Sequence, residues 1–364
     1  MPLLPTSLYL ATNPVDQVSD NFQKLSKTPQ LGPPWKQHSF NELLNSGNAY
    51  PEGKQRWQIV SDSINKVIHG KAYTCHSNVY MAFEIDDGSK RMGIVGGVPG
   101  SYLSTHVYKH EATEPKRVKK FVRYLNTVKR QAEPTVLAFR HTKDWDALKT
   151  HVYSCSPTLA FNRYNNKYRI WVLPANSPLG KRIQVFFSTL NSLVVVDGHH
   201  RKAAIEELSL TGSPSLSLLS YCLPDSDIQA DSFFWHAAIL PDSLLQWVKQ
   251  TATVRVGIPQ KNIKNKTVQI KIKDRWFVFP NSDRRSVLCQ IDHFFGKHNI
   301  PLHRTPQKDR TPFSKEKKNL TFLVEYSPFD FKQIMNWAGQ RIWLPAKSSY
   351  LTPKVPLGLF LHTV

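Results

Sequence analysis

None of the short loops that announce common nucleotide enzymes is present: the chain has no GxxxxGK[ST], no HRD with DFG and no GxGxxG. P-loop, protein-kinase and Rossmann readings are therefore weak. Cysteine is scarce. Cys75, Cys155, Cys222 and Cys289 stand far apart with no CxxC spacing, which argues against structural zinc and a disulfide framework and leaves reduced packing thiols. No apolar run approaches the roughly 20 residues that span a bilayer. The N-terminus MPLLPTSLYLATNPVDQ has no basic region ahead of its short apolar stretch. The expectation is a cytoplasmic protein without a membrane partner. Repeats, low-complexity tracts and helix-turn-helix or basic-zipper signatures are missing too.

Acid is the remaining shortage. Among 364 residues, 27 Asp and Glu face 48 Lys and Arg, a formal net charge of +21. That balance implies polyanions: phosphorylated small molecules, nucleic acid or an anionic carrier. The bases cluster at 116–120 (KRVKK), 261–273 and 304–318. Each cluster alone reads as a solvated face, and together they make a nucleic-acid or other polyanionic carrier an expected partner. Length and a 40% hydrophobic content allow two or three units with real cores.

The most informative stretch is 193–210, LVVVDGHHRKAAIEELSL. Leu193, Val194, Val195 and Val196 run without polar alternation, the pattern of a strand covered on both faces. Asp197 and Gly198 stop it, and from about Arg201 the apolar positions Ala204, Ile205 and Leu208 recur at helical spacing. Strand, tight turn and helix thus carry Asp197, His199, His200 and Arg201 to an open helix N-terminus. The first N–H groups of a helix lack partners and the macrodipole adds positive charge, so a phosphate or carboxylate can sit there. Arg201 and two imidazoles strengthen such a site. Asp197 is tolerable beside an anion only if it holds a cation, a donor or a reacting hydroxyl. The alternative is a plain N-cap beside a solvated His pair.

Around this motif the first 70 residues read as irregular, with Pro-rich punctuation at 31–35 (LGPPW) and a helix near 56–68. Segments 79–85 and 92–98 read as a hairpin. YKHEAT at 108–113 precedes a helix over 115–130 with Thr113 as N-cap and Pro115 in its first turn, so His110 and Glu111 lie at a helix mouth. Strands follow at 135–139, 158–162, 169–173 and 215–222, with a helix over 146–152. Further on come an apolar segment at 232–240 containing His236, a helix at 241–251, a hairpin over 268–279 around Lys273 and Asp274, and a helix at 287–296. A strand at 321–326 and a helix at 329–337 lead to 344–364, LPAKSSYLTPKVPLGLFLHTV, which sets Lys347, Ser348, Ser349, Thr352 and Lys354 between prolines. A Lys-Ser-Ser cluster can hold phosphate oxygens through ammonium and hydroxyl donors; otherwise it is a solvated loop before a final strand.

Phosphoryl transfer to an alcohol needs positioned phosphates, charge neutralisation, and a carboxylate to take the hydroxyl proton. Glu111, the Asp197–Arg201 turn and the late Lys/Ser/Thr loop supply those residue types. YKHEAT, VVVDGHHRKAA and LPAKSSYLTPKVPLGL, in that order, also resemble a large bacterial family known as a domain of unknown function (DUF1015), over roughly residues 75 to 364. The DGHHR turn is similar to that of free serine kinases built on the ParB/sulfiredoxin fold. The resemblance implies Glu111 as general base, His199, His200 and Arg201 gripping the transferring phosphate, and Asp197 orienting them or binding Mg²⁺. It implies Gly198 at the nucleotide turn, Lys347, Ser348 and Ser349 closing over a phosphate, and ATP or ADP as donor. Two segments depart from the family pattern: Pro33, Pro34, Trp35 and Lys36 replace Pro-Pro-Tyr-Asp, and Phe234, Trp235, His236 and Ala237 replace Pro-Thr-His-Arg. Free serine need not be the acceptor.

The expected architecture is α+β: an irregular and helical region at 1–70, a ParB/sulfiredoxin-like mixed-sheet core at 71–230, and a C-terminal α+β domain at 231–364 contributing a phosphate-binding loop. The expected activity is a nucleotide-dependent small-molecule kinase phosphorylating a serine-like or carrier-borne hydroxyl. The alternative is a ParB-like nucleotide-binding protein that engages nucleic acid without phosphoryl transfer. A sulfiredoxin-like reductase would need cysteine where this chain has His199.

Overall fold

The apolar run at 193–196 forms the strand Leu193–Asp197, and its four aliphatic side chains are buried. They are buried because the strand lies inside a mixed sheet rather than at a solvated face. In the computed structural model, described over residues 1–17, 40–46, 49–51, 53–163, 165–212, 215–256, 267–273, 275–279, 283–306 and 321–364, the chain divides into two units. The first comprises Met1–Tyr108, Thr113–Ile228 and Pro353–Val364; the second comprises Lys109–Ala112 and Gln229–Thr352.

In the first unit the sheet runs Val107–Tyr108, Leu193–Asp197, Thr135–Phe139, Ser217–Pro224, Lys90–Pro99, Tyr73–Asp86, Thr6–Ala11, Phe360–Thr363, Arg130–Gln131. A further hairpin, Leu159–Arg163 with Asn166–Pro174, joins it along Tyr73–Asp86. Val107–Tyr108 with Leu193–Asp197, and Thr135–Phe139 with Ser217–Pro224, pair in parallel, and the other neighbours are antiparallel. Helices Pro115–Val128, Lys143–Tyr153, Pro178–Thr189 and His199–Thr211 bring Val118, Leu125, Trp145, Leu148, Phe186, Phe187, Ala204 and Ile205 into one apolar core with the sheet.

The second unit holds an antiparallel sheet ordered Thr253–Val256, Arg275–Phe279, Val268–Ile272, Phe322–Tyr326, Phe233–Ala237, His303–Pro306. Helices Asp242–Thr251, Arg284–Lys297 and Phe331–Gly339 accompany it, and a separate pair joins Gln229–Asp231 to Tyr350–Thr352. The hairpin expected around Lys273 is present, with Lys273 at φ 52°.

The structure is therefore mixed α+β, and it differs from the sequence expectation in several places. Residues 1–70 are not a separate region: Thr6–Ala11 is a strand pairing with Tyr73–Asp86 and Phe360–Thr363, which ties both chain ends into the first sheet. Instead of three consecutive regions there are two units, the second beginning near the expected boundary but ending at Thr352. Helix Pro115–Val128 starts from Glu114 rather than Thr113, without a side-chain cap bond. Helix Pro178–Thr189 is an addition, marked locally by Ser177, whose hydroxyl accepts from the Gly180 N–H at 3.0 Å, and by Pro178 in the first turn. Pro33, Pro34, Trp35 and Lys36, Asp274, and most of the basic clusters at 261–273 and 304–318 lie outside the described residues. No helix among the described residues is long and apolar enough to cross a membrane.

Candidate phosphate site

In the first unit, Asp197 ends its strand opposite Val136 of the antiparallel neighbour. Gly198 then turns the chain at φ 94° and caps helix His199–Thr211, which starts two residues before the expected position. No side chain caps this helix, so Asp197 is not the N-cap. Its oxygens go elsewhere: Oδ1 accepts from the Lys354 ammonium and Oδ2 from Arg201 Nη2 at 2.9 Å. Arg201 also donates Nη1 to the Glu133 carboxylate and Nη2 to the Pro134 carbonyl at 3.2 Å. Two carboxylates and two cations thus form a formally neutral tetrad whose side chains are 16–25% exposed.

Burial alone would raise the Asp197 pKa, but Lys354 and Arg201 outweigh it and hold the carboxyl well below the usual carboxylate range. Burial likewise opposes the Arg201 charge, and Glu133 and Asp197 more than offset that. Half-buried His200 accepts the Glu114 N–H at Nε2, 3.1 Å away. Because a ring nitrogen accepting from an amide carries no proton, this contact assigns His200 the neutral tautomer with hydrogen on Nδ1. His199 is half-buried on the same first turn.

Gly198 is required twice over. Its φ lies in the left-handed region, and a Cβ there would sit 2.7–2.9 Å from the Arg201 guanidinium. Gly198→Ala is expected to cost about 2 kcal/mol, roughly 1–2 kcal/mol of it backbone strain, read from the denaturant midpoint. Gly212, with φ 179° and open space around its Cα, is the matched control, and Gly212→Ala should be close to neutral.

The second unit contains Glu111, and its carboxylate is surrounded by donors. Lys347 N–H donates to Oε2 at 2.9 Å; Ser348 N–H at 3.1 Å, Ser349 N–H at 2.9 Å and Ser349 Oγ at 2.8 Å all donate to Oε1. Lys347, at φ 55°, bends the chain so that successive amides converge on one anion, a backbone nest. The nest is fixed from behind. Tyr326 OH donates to the Ser348 carbonyl at 2.8 Å, Trp235 Nε1 to the Lys347 carbonyl at 3.1 Å, and Ser348 Oγ to the Pro345 carbonyl at 2.7 Å. Glu111 itself is placed by a bridge to Leu344, whose N–H donates to the His110 carbonyl at 2.7 Å. Since the single Ser349 hydroxyl proton goes to Glu111, His110 Nε2, 3.0 Å from Ser349 Oγ, is the donor in that pair.

The loop expected to close over a phosphate is thus anion-binding in form, and the anion its amides hold is Glu111. Ser348 is fully buried with its hydroxyl turned to its own loop. The structure gathers Glu111 with Lys347, Ser348 and Ser349 in one unit, and Asp197, Gly198, His199, His200 and Arg201 in the other. Sequence reasoning did not single out Glu133, and it named Lys354 only as a member of the late Lys/Ser/Thr loop. Lys354 was visible as a lysine between prolines, whereas nothing local marks Glu133, which sits in the bend just before strand Thr135–Phe139 and is brought to Arg201 by the pairing of that strand beside Asp197.

Among the described residues no group of three or more His, Cys, Asp or Glu is arranged to hold a metal ion. Both Asp197 oxygens are engaged by cations, so Mg²⁺ at Asp197 would have to displace Lys354 or Arg201. The residues present do not fit a protein-held Mg²⁺, and no chemical step is routed through one.

The sequence model of the family described as "Protein of unknown function (DUF1015)" matches residues 36–215. No curated protein matches. Solved structures with similar chain traces include SbnI with a C-terminal truncation from Staphylococcus aureus, at 11% identity and a TM-score of 0.45, covering 73% of this chain and 87% of that one. A free serine kinase in complex with AMP gives 11% identity and a TM-score of 0.43, covering 73% of this chain and 92% of that one. A conserved hypothetical protein from Pyrococcus furiosus gives 12% and 0.43, covering 73% and 95%. Their activities are their own; the chemistry open to this chain is read from its residues.

Proposed function

We propose that the chain is a nucleotide-dependent phosphotransferase with a ParB/sulfiredoxin-like core, acting on the hydroxyl of a small molecule or of a carrier-borne group. The observation that carries this reading is the 197–201 turn. A helix of 13 residues opens without a side-chain cap, behind a left-handed glycine, beside Arg201 and Lys354. Its amides and dipole suit a terminal phosphate of ATP or ADP, and Arg201 and Lys354, whose charges Asp197 and Glu133 balance, can add N–H donors to the transferring group.

The step balances as follows. The acceptor hydroxyl oxygen forms a bond to the terminal phosphorus, the bond from phosphorus to the bridging oxygen of the nucleotide breaks, and the hydroxyl proton passes to a carboxylate base, the role that the family resemblance gives to Glu111. Four donors fix the orientation of the Glu111 carboxylate, and Oε2, which accepts only one of those bonds, is the oxygen with a lone pair left for a proton. His199 and His200 orient the phosphate, with Asp197 holding Arg201 and Lys354 in place until it arrives.

The test is nucleotide consumption, with ATP and ADP, over a panel of amino acids, nucleosides and other alcohols, with phosphorus NMR identifying the product. The expected result is one class of phosphomonoester whose formation falls sharply in Arg201→Gln and Asp197→Asn. Wild-type turnover in both variants, or no phosphomonoester with any acceptor, overturns the reading.

A further inference from the structure

Helix Pro115–Val128 is amphipathic in an unusual sense: the face turned from the core is almost entirely basic. Val118, Leu125 and Val128 are buried, and Phe121 and Val122 pack against the same core. Lys116, Lys119, Lys120 and Arg123 are all exposed. At 3.6 residues per turn, these four fall within an arc of about 100°, opposite the middle of the buried face. Segment 115–130, PKRVKKFVRYLNTVKR, contains no Asp or Glu. The one acid at its start, Glu114, pairs with Arg117 at 3.1 Å, off the stripe.

We propose that this stripe is a docking surface for the phosphate backbone of a nucleic-acid duplex. The inference goes beyond phosphoryl transfer and does not rest on it. Three features favour a duplex. The stripe runs from Lys116 to Arg123, seven steps and about 10 Å along the helix axis, which matches about three phosphates of one strand at roughly 3.4 Å of duplex axis each. It offers lysine and arginine donors without asparagine or glutamine among them, suited to phosphate oxygens and not to base edges, so binding is indifferent to sequence. A net charge of +21 steers a polyanion toward it. A lipid surface fits less well: an interfacial helix needs an outward apolar face to bury in the headgroup region, and here Val118, Phe121, Val122, Leu125 and Val128 are turned into the protein.

The experiment compares two variants with equal charge loss. In the stripe variant, Lys116→Gln, Lys119→Gln, Lys120→Gln and Arg123→Gln are combined; in the control, Lys143→Gln, Lys167→Gln, Lys181→Gln and Arg182→Gln are. All eight positions are exposed; seven lie on helices, where glutamine matches lysine and arginine in propensity, and Lys167 lies near the start of strand Asn166–Pro174, so circular dichroism and Tm should stay at wild-type values in both. Fluorescence anisotropy with a labelled duplex over a KCl series gives the slope of log K against log salt. The stripe variant should lose about 3 from that slope, roughly 0.9 per phosphate contact removed, while the control keeps it. An unchanged slope in the stripe variant, equal losses in both variants, or no duplex binding by the wild type overturns the proposal. So does a stripe effect confined to phosphatidylserine vesicles or to poly-glutamate, which would name a different partner.

Discussion

Replacing Glu111 by glutamine is expected to lower phosphoryl transfer by a factor of about 10²–10⁴, the usual scale for losing a positioned base, and to loosen the 345–349 loop as well. The two effects share a cause. Every neighbour that touches the carboxylate is a donor, so an amide NH₂ must face at least one N–H of like polarity. Leaving one such buried donor unpaired costs roughly 1–3 kcal/mol, which a denaturation midpoint reads directly. Glu111→Asp separates the roles. It keeps a base while withdrawing it from amides that the longer chain reaches, so it should reproduce the loop's loss of hydrogen-exchange protection yet retain more turnover than glutamine. Equal turnover in Glu111→Gln and wild type would remove the proton-accepting role while leaving the anchoring role intact. Loop protection unchanged in every Glu111 variant would show that Tyr326 and Trp235 hold the nest without it. Burial pushes the Tyr326 phenol well above its ordinary value, so its hydrogen bond to Ser348 gives no titration of its own near neutral pH.

How much of this was legible beforehand differs from element to element for physical reasons. The 193–196 run and the hairpin at Lys273 announce themselves because their signals are local: an unbroken aliphatic run, and alternation either side of a turn. Helix His199–Thr211 begins earlier than periodicity suggests because Gly198, His199 and His200 contribute no apolar position, and a first turn built of polar residues is invisible to a hydrophobic pattern. The strand Thr6–Ala11 was missed for the opposite reason. Its sequence is suitably apolar, but what makes it a strand is pairing with Phe360–Thr363, some 350 residues away, and no window contains both. The site divides in the same way. Asp197, Arg201 and Glu111 stand out as charges set beside apolar runs or at helix mouths. That Glu111 fills the nest of Lys347, Ser348 and Ser349, and that Glu133 and Lys354 complete the tetrad, follows from strand register and long-range loops, which one sequence does not encode locally.

The tetrad makes the second large prediction. Asp197→Asn removes a charge that two cations share, leaving Arg201 with Glu133 but Lys354 without its carboxylate. A fully buried pair broken this way costs about 3–5 kcal/mol; with side chains 16–25% exposed, about 2–3 kcal/mol is expected. Lys354→Met alone should cost less, because Asp197 keeps Arg201 at 2.9 Å. The double variant should therefore be less destabilised than the sum, with a coupling of about 1–2 kcal/mol. The dependence on pH has a definite sign. Asp197 titrates below its unfolded value of about 3.9, so its contribution is complete above that pH and is lost as pH falls toward the folded value, with about 1 kcal/mol gone by pH 3. The stability gap between wild type and Asp197→Asn should accordingly be constant from neutral pH down to about 5 and narrow below 4. A gap as wide at pH 3 as at pH 7 would mean that Asp197 acts through shape rather than charge. The ionic account of the helix mouth, and with it the role of Lys354, would then fall.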